Sequence, residues 1–369
     1  MAPIRVRPRW PNRRIRLVLV VAALAVSSCG TGGSGAGVAG PTTRVDPRPG
    51  TTHAPASTAT TGPPTAGRGA GAIGTPLPVP AGLTRFTPSV DPGEGSWQPA
   101  GRTVDGVPAV YETSLTPPGG TLPAGIAWMD THLLDARLYS GSESPGGGPY
   151  RYTAPVEPAQ AASLVAAFNG GFKMDDAGGG YFTEGHIVVP LVAGAASLVI
   201  YADRTTTVGA WGTDVSMTPD VVAVRQNLTP LVDGGRPTTL ASGADWRYWG
   251  NTCGAATCAP SVPGIEQQWR SGVGVTADGA LVYVTGPSLT PLQLAQLLVR
   301  ARVVRGMELD VNPYWTFLAT YRPADPGGPA SPANGTRLVA TSLQGPATPF
   351  EPTWARDFVT VSARTGTAG

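Results

Sequence analysis

The chain of 369 residues contains one lysine, three cysteines and three histidines. The lone lysine is Lys173, and every other basic residue is arginine, a bias expected of GC-rich coding. Net charge is +2, yet Arg5, Arg7, Arg9, Arg13, Arg14 and Arg16 all fall in the leader, so the remainder is near neutral or slightly acidic. No basic stripe is left to form a nucleic-acid footprint. Long apolar runs are also missing. Residues 17–26 are apolar, but a bilayer core needs roughly 20 helical residues, so this run is a signal h-region and not a membrane span. The few histidines and cysteines form no compact metal motif, and no cofactor is called for. A divalent metal held by Asp310, Glu308 and His186 stays open as the weakest of the readings.

What is present begins with an export signal. The basic leader and the apolar run lead into Val26-Ser27-Ser28-Cys29, which looks like a lipobox. The expected products are cleavage before Cys29 and lipidation of its thiol, which would tether the chain to the outer face of the cell membrane; Arg13-Arg14 also admits a twin-arginine route. Cys253 and Cys258 remain, five residues apart with no histidine near them, and an exported chain sees an oxidising compartment. A small-loop disulfide is the expectation, contributing about 2 kcal/mol on the chain-entropy model. Residues 30–80 are rich in Gly, Thr, Ala and Pro and contain no aromatic residue, so they cannot offset the entropy of ordering. They are expected to be a disordered tether, with one folded domain over residues 95–363.

Within that domain short apolar runs dominate, bounded by Gly, Pro, Asp and Asn. Strands are expected at residues 126–129, 133–139, 164–168, 187–191, 197–201, 207–211, 221–224, 273–275, 281–284, 305–311, 314–320 and 336–340. Asp278-Gly279 marks a tight hairpin turn. One helix is well signalled: Thr290 as N-cap, Pro291 in the first turn, Gln293 for a capping box, then Leu294, Leu297, Leu298 and Ala301 along one stripe. A shorter helix is expected from Pro158 to just before Leu164. The fold class is therefore α+β: a mixed, mostly antiparallel sheet core with few helices, preceded by a signal peptide and a disordered tether.

Two motifs about 140 residues apart carry the chemistry. In Phe168-Asn169-Gly170-Gly171-Phe172-Lys173 a strand ends on glycines whose amides no Cβ shields. Such a turn can form an anion nest, with Asn169 suited to a sugar hydroxyl and Lys173 to a phosphoryl oxygen. A plain glycine-rich turn with a surface lysine explains the same residues. Glu184 and His186 follow, beside Tyr181 and Phe182, and could be either functional or a solvated loop. In the second motif Glu308 and Asp310 stand at i, i+2, so a strand turns both carboxylates to one face. That is costly unless they are functional, or unless one of them binds Arg270 or caps a loop. Arg270 itself offers a planar fork for phosphate or carboxylate.

The order Asn169-Gly170-Gly171-Phe172, then Arg270-Ser271-Gly272-Val273-Gly274-Val275 with Asp278-Gly279, then the Thr290 helix, then Glu308-Leu309-Asp310 resembles the phosphodiester glycosidase family over about residues 125–345. The resemblance implies hydrolysis of a sugar-1-phosphodiester, releasing the sugar and leaving a phosphomonoester. It carries over to Asn169, Gly170 and Gly171, to Arg270, and to Asp310. After Asp310 the family has glycines where this chain has Val311, Asn312 and Pro313, and Asn312 is expected to replace some of their contacts. On this reading Asp310 takes one catalytic role and Glu184 or Glu308 the other. Arg270, Lys173 and the Asn169-Gly170-Gly171 nest would hold the phosphate, with His186 and Asn312 as further substrate contacts. The expected partner is a sugar-phosphate glycan or glycolipid. The alternative is a non-catalytic glycan-binding envelope lipoprotein on the same fold.

Overall fold

A computed structural model describes residues 74–364, except 89–90, 244–245 and 251–266. The leader, Cys29 and most of the tether, as well as Cys253 and Cys258, lie outside the described residues.

Period-two alternation decides where the strands go. In Leu281-Val282-Tyr283-Val284, Leu281 and Tyr283 enter one buried cluster while Val282 and Val284 enter another. A strand whose two faces are both apolar must be covered on both sides. The sheet that contains it has eight strands. In spatial order these are Gln98–Val104 (β1), Val107–Leu115 (β2), Ala124–Met129 (β3), Leu281–Leu289 (β14), Gln268–Thr276 (β13), Val303–Val311 (β15), Val232–Asp233 (β11) and Arg236–Pro237 (β12). Against one face lies the helix Pro291–Arg300 (α2), which buries Leu294, Leu297 and Leu298. Gly272 faces it so closely that a Cβ there would meet Leu294 at 3.3 Å.

The other face packs on residues from two five-stranded sheets, and this shared interior is the main core. Sheet two runs His186–Val189 (β7), Tyr181–Thr183 (β6), Val221–Gln226 (β10), Ala196–Tyr201 (β8) and Thr206–Ala210 (β9). Sheet three runs Gly335–Arg337 (β17), Leu318–Tyr321 (β16), Leu164–Asn169 (β5), Phe358–Ala363 (β18) and Leu134–Tyr139 (β4). Every pairing between these strands is antiparallel, and the only α-helices among the described residues are α2 and the four-residue Pro158–Ala161 (α1). The α+β class with a mostly antiparallel core and few helices is what the fold shows.

The helix signals hold in detail. Thr290 Oγ1 accepts from Gln293 N at 3.2 Å while Gln293 Oε1 accepts from Thr290 N at 2.9 Å, a complete capping box. Between β13 and β14, Gly279 takes φ +92°. The strand expected at 314–320 starts later, at Leu318. Asn312 adopts φ +68° and its side chain and carbonyl accept from Tyr314 N (2.9 Å) and Thr316 N (3.3 Å), so residues 312–316 form a turn. The chain also packs before residue 95. Gly74 N donates to His132 O at 3.0 Å, Leu77 N donates to Asp130 Oδ2 at 2.8 Å, and Leu83 is buried.

Candidate active site

Strand ends bring the two motifs together. β5 delivers Asn169-Gly170-Gly171, β13 delivers Arg270 and Ser271, and β15 delivers Glu308 and Asp310. Ser271 ties all three: its Oγ accepts from Asn169 Nδ2 at 2.9 Å and donates to Asp310 O at 3.0 Å. A cavity of about 410 Å³ opens over this junction, lined by Phe172, Lys173, Asp176, Leu228, Tyr248, Gly250, Asp310, Val311, Asn312, Trp315 and Arg356.

Asp310 is the buried carboxylate that reaches this cavity. Its Oδ1 accepts from Val311 N at 2.7 Å, and its Oδ2 pairs with the Arg356 guanidinium. Burial raises its pKa to about 6, outweighing the lowering by Arg356. Arg356 lies over the Trp315 ring, 5.0 Å from its centroid, and its buried Nε has no hydrogen-bond partner. Lys173 and Asp176 also line the cavity and stand exposed, just after the Gly170-Gly171 turn.

The residues expected to hold phosphate fare differently. Arg270 is fully buried and does not line the cavity. It donates to Glu308 Oε1 at 2.6 Å, to Leu289 O at 2.9 Å and to Trp249 O at 2.8 Å. Glu308 is the carboxylate that binds Arg270. Its Oε2 is left without a hydrogen bond, and burial pushes its pKa up to about 7 against the pull of Arg270. This pair braces the strands beneath the cavity, and neither member faces a ligand there.

The anion nest is corrected for the same kind of reason. Gly170 N donates to Asp357 O at 2.8 Å and Phe172 N to Asn227 Oδ1 at 3.0 Å, so these amides are already committed. The glycines serve close packing. A Cβ on Gly170 would fall 1.9 Å from Asp357 Oδ2, and one on Gly171 2.8 Å from Arg225 Cζ. Asn169 is equally occupied, accepting from Tyr283 OH at 2.6 Å and Phe317 N at 3.0 Å. It fixes the strand ends and presents nothing to a sugar hydroxyl. Asn312 does line the cavity, and its left-handed backbone keeps the conformation a glycine would favour.

Glu184 and His186 are not brought to this cavity. Glu184 occupies the tight turn between β6 and β7, at φ +51°, and its carboxylate accepts from Arg151 N (3.1 Å) and Tyr152 N (3.0 Å). His186 is exposed on β7, an edge strand of sheet two. In return, four supports escaped the sequence reading: Arg225, Asn227, Arg356 and Asp357. Arg225 forms a buried fork on Asp357, with Nε–Oδ2 at 2.9 Å, and Asn227 Nδ2 donates to Glu308 O and Leu309 O at 3.0 and 2.9 Å. The signal available was position: each sits at the end or start of an apolar strand, as the recognised motifs do. Among the described residues no group of three or more His, Cys, Asp or Glu could hold a metal ion.

No family model and no curated protein matches the chain. Among solved structures it is similar to the zebrafish N-acetylglucosamine-1-phosphodiester α-N-acetylglucosaminidase catalytic domain, auto-inhibited by its pro-peptide. That match has a TM-score of 0.42 at 15% identity, over 73% of this chain and 88% of that one. A hypothetical protein from Synechocystis matches with a TM-score of 0.35 at 11% identity, over 72% and 64% of the respective chains. These resemblances are distant, and no residue role is taken from them.

Proposed function

We propose that the chain hydrolyses a sugar-1-phosphodiester in a glycan or glycolipid, releasing the sugar and leaving a phosphomonoester. The observation that carries this reading is the convergence of the family-like motifs on one cavity whose floor holds the ionisable Asp310. Water adds to the anomeric carbon, the bond from that carbon to the phosphate oxygen breaks, and the water proton passes to a carboxylate. Asp310 takes that role in this reading. The second carboxylate of the cavity is Asp176, since Glu308 is engaged beneath it and Glu184 lies elsewhere. Lys173 and Arg356 supply positive charge for the phosphate, where electrostatic clamping matters more than acid help to an already good leaving group. Trp315 and Tyr248 offer ring faces to the sugar.

One observation favours a second reading, a glycan-binding protein without catalysis: both oxygens of Asp310 already have partners, one of them a guanidinium. The two readings separate in one experiment. The full chain and its Asp310→Asn variant are incubated with a panel of sugar-1-phosphodiesters, and free sugar is followed. Release by the parent and loss in the variant is the expected outcome. Tight binding of a panel member that survives hours of incubation would instead establish the binding protein.

The leader and the Val26-Ser27-Ser28-Cys29 sequence support export and a lipid anchor on Cys29, which would set the cavity at the outer face of the cell membrane. Metabolic labelling with a fatty-acid analogue should mark the parent and leave Cys29→Ala unlabelled.

A further inference from the structure

A second depression, of about 260 Å³, is formed by residues of sheets two and three and lies apart from the residues of the catalytic cavity. Its walls are apolar: Ala136 and Leu138 from β4, Ile200 from β8 and Ala223 from β10. Two guanidinium groups belong to the same lining, those of Arg137 and Arg204. Arg137 lies over the Tyr152 ring, 4.0 Å from its centroid, with Arg151 5.3 Å from the same ring. Among the described residues neither Arg137 nor Arg204 makes a side-chain hydrogen bond or an ion pair.

Asp135 and Asp203 share this neighbourhood, and the Asp135 carboxylate feels the charges of both Arg204 and Arg137, but among the described residues no acid forms an ion pair with either guanidinium. Asp135, on β4 beside Arg137, is engaged by Arg364 at 3.4 Å. Glu184 on the rim spends its carboxylate on the amides of Arg151 and Tyr152. Burial, then the charge of Arg204, pulls the Arg137 pKa down from its ordinary value, as expected of two cations held close together. Glu184 and Arg204 are also both non-glycine residues with positive φ, at +51° and +67°, an uncommon conformation that sets each at the mouth of the same depression.

We propose that this depression is a binding site for a small monoanionic organic acid. The head group is taken by the Arg137 and Arg204 guanidinium groups, and the body packs on the apolar lining, in which Val222 is the exposed side chain. Charge-assisted hydrogen bonds from arginine are the strong ones, and an apolar pocket with a few convergent polar groups is the usual form of a small-molecule site. A single negative charge fits because the Glu184 carboxylate on the rim opposes a second. A compact body fits because the volume lies near the small end of such sites, which run from roughly 300 Å³ upward. This site does not depend on the proposed hydrolase activity.

The test is calorimetric titration of the full chain with phenylacetate, and with phenylethanol and phenyl phosphate as the uncharged and dianionic matches. Saturable phenylacetate binding is expected, with phenylethanol and phenyl phosphate both weaker. Arg137→Gln and Arg204→Gln should each weaken it by roughly tenfold or more, as loss of a charge-assisted hydrogen bond does. Thermal unfolding checks that each variant is folded, and Arg204→Gln, on a hairpin turn, keeps the test open if Arg137→Gln unfolds. Absence of saturation, equal binding of phenylethanol, tighter binding of phenyl phosphate, or indifference to both substitutions would each overturn the proposal.

Discussion

Asp310 and Arg356 form the pair on which the residue-scale chemistry turns. If ionised Asp310 receives the proton of the attacking water, kcat/KM should rise with pH through about 6 and then level. Arg356 lowers the Asp310 pKa, so Arg356→Gln should move that rising limb upward by roughly one unit or more, measured as a pH–rate profile. A limb that stays put would detach Arg356 from the chemistry. Asp310 and Lys173 were legible in the sequence because each ends or follows an apolar run with polar residues in tow. Arg356 was not, since an arginine 46 positions beyond Asp310 carries no local sign of the aspartate it will meet. Asn312 sits between these cases. Its left-handed backbone predicts that Asn312→Gly leaves stability nearly unchanged, while Asn312→Ala costs about 1 kcal/mol, read by chemical denaturation.

At the scale of elements, legibility followed the strength of the local signal. α2 was readable to the residue because its cap, its proline and its stripe are all local, and Thr290→Ala should cost about 1 kcal/mol in stability. The twelve expected strands all have counterparts, but β1, β2, β6, β11, β12 and β18 were not read. β2 contains Pro108, and β1 contains Pro99 and Gly101, residues that ordinarily signal a break; β1 is an edge strand, where such residues are tolerated. The Glu308–Arg270 pair shows a different limit. Two carboxylates on one strand face read alike in sequence, yet β13 supplies a guanidinium to one and not to the other. Breaking it should be severe. Glu308→Ala leaves a fully buried guanidinium without its counter-charge, at a cost of about 3–5 kcal/mol in denaturant unfolding.

At the scale of the whole molecule, four carboxylates titrate high, each pushed up first by burial: the buried Asp310 to about 6 and Glu308 to about 7, the half-buried Glu112 to about 7, and Asp135 above its ordinary value. Across about pH 4 to 7 the folded chain therefore holds protons that the unfolded chain would release. Their contribution to stability is fullest at the acid end and is lost as pH rises through the folded values. Denaturant midpoints should fall across that window, and Glu112→Gln, away from the cavity, should flatten the slope. A midpoint that rises over the same range would show that other groups dominate.

The order of sheet three has a consequence for how the protein comes into being. β18 lies between β5 and β4, and Arg356 and Asp357 immediately precede it. During synthesis the chain thus makes β4 and β5 long before the strand that joins them exists. A ribosome that has reached residue 340 has already made Lys173, Asp176 and Asp310, but not the arginine that faces Asp310 or the carbonyl that receives Gly170 N. Closure over such sequence separations is slow and leaves strand edges open meanwhile. The nascent chain is thereby kept unfinished until almost its last strand, a delay that would suit the proposed export.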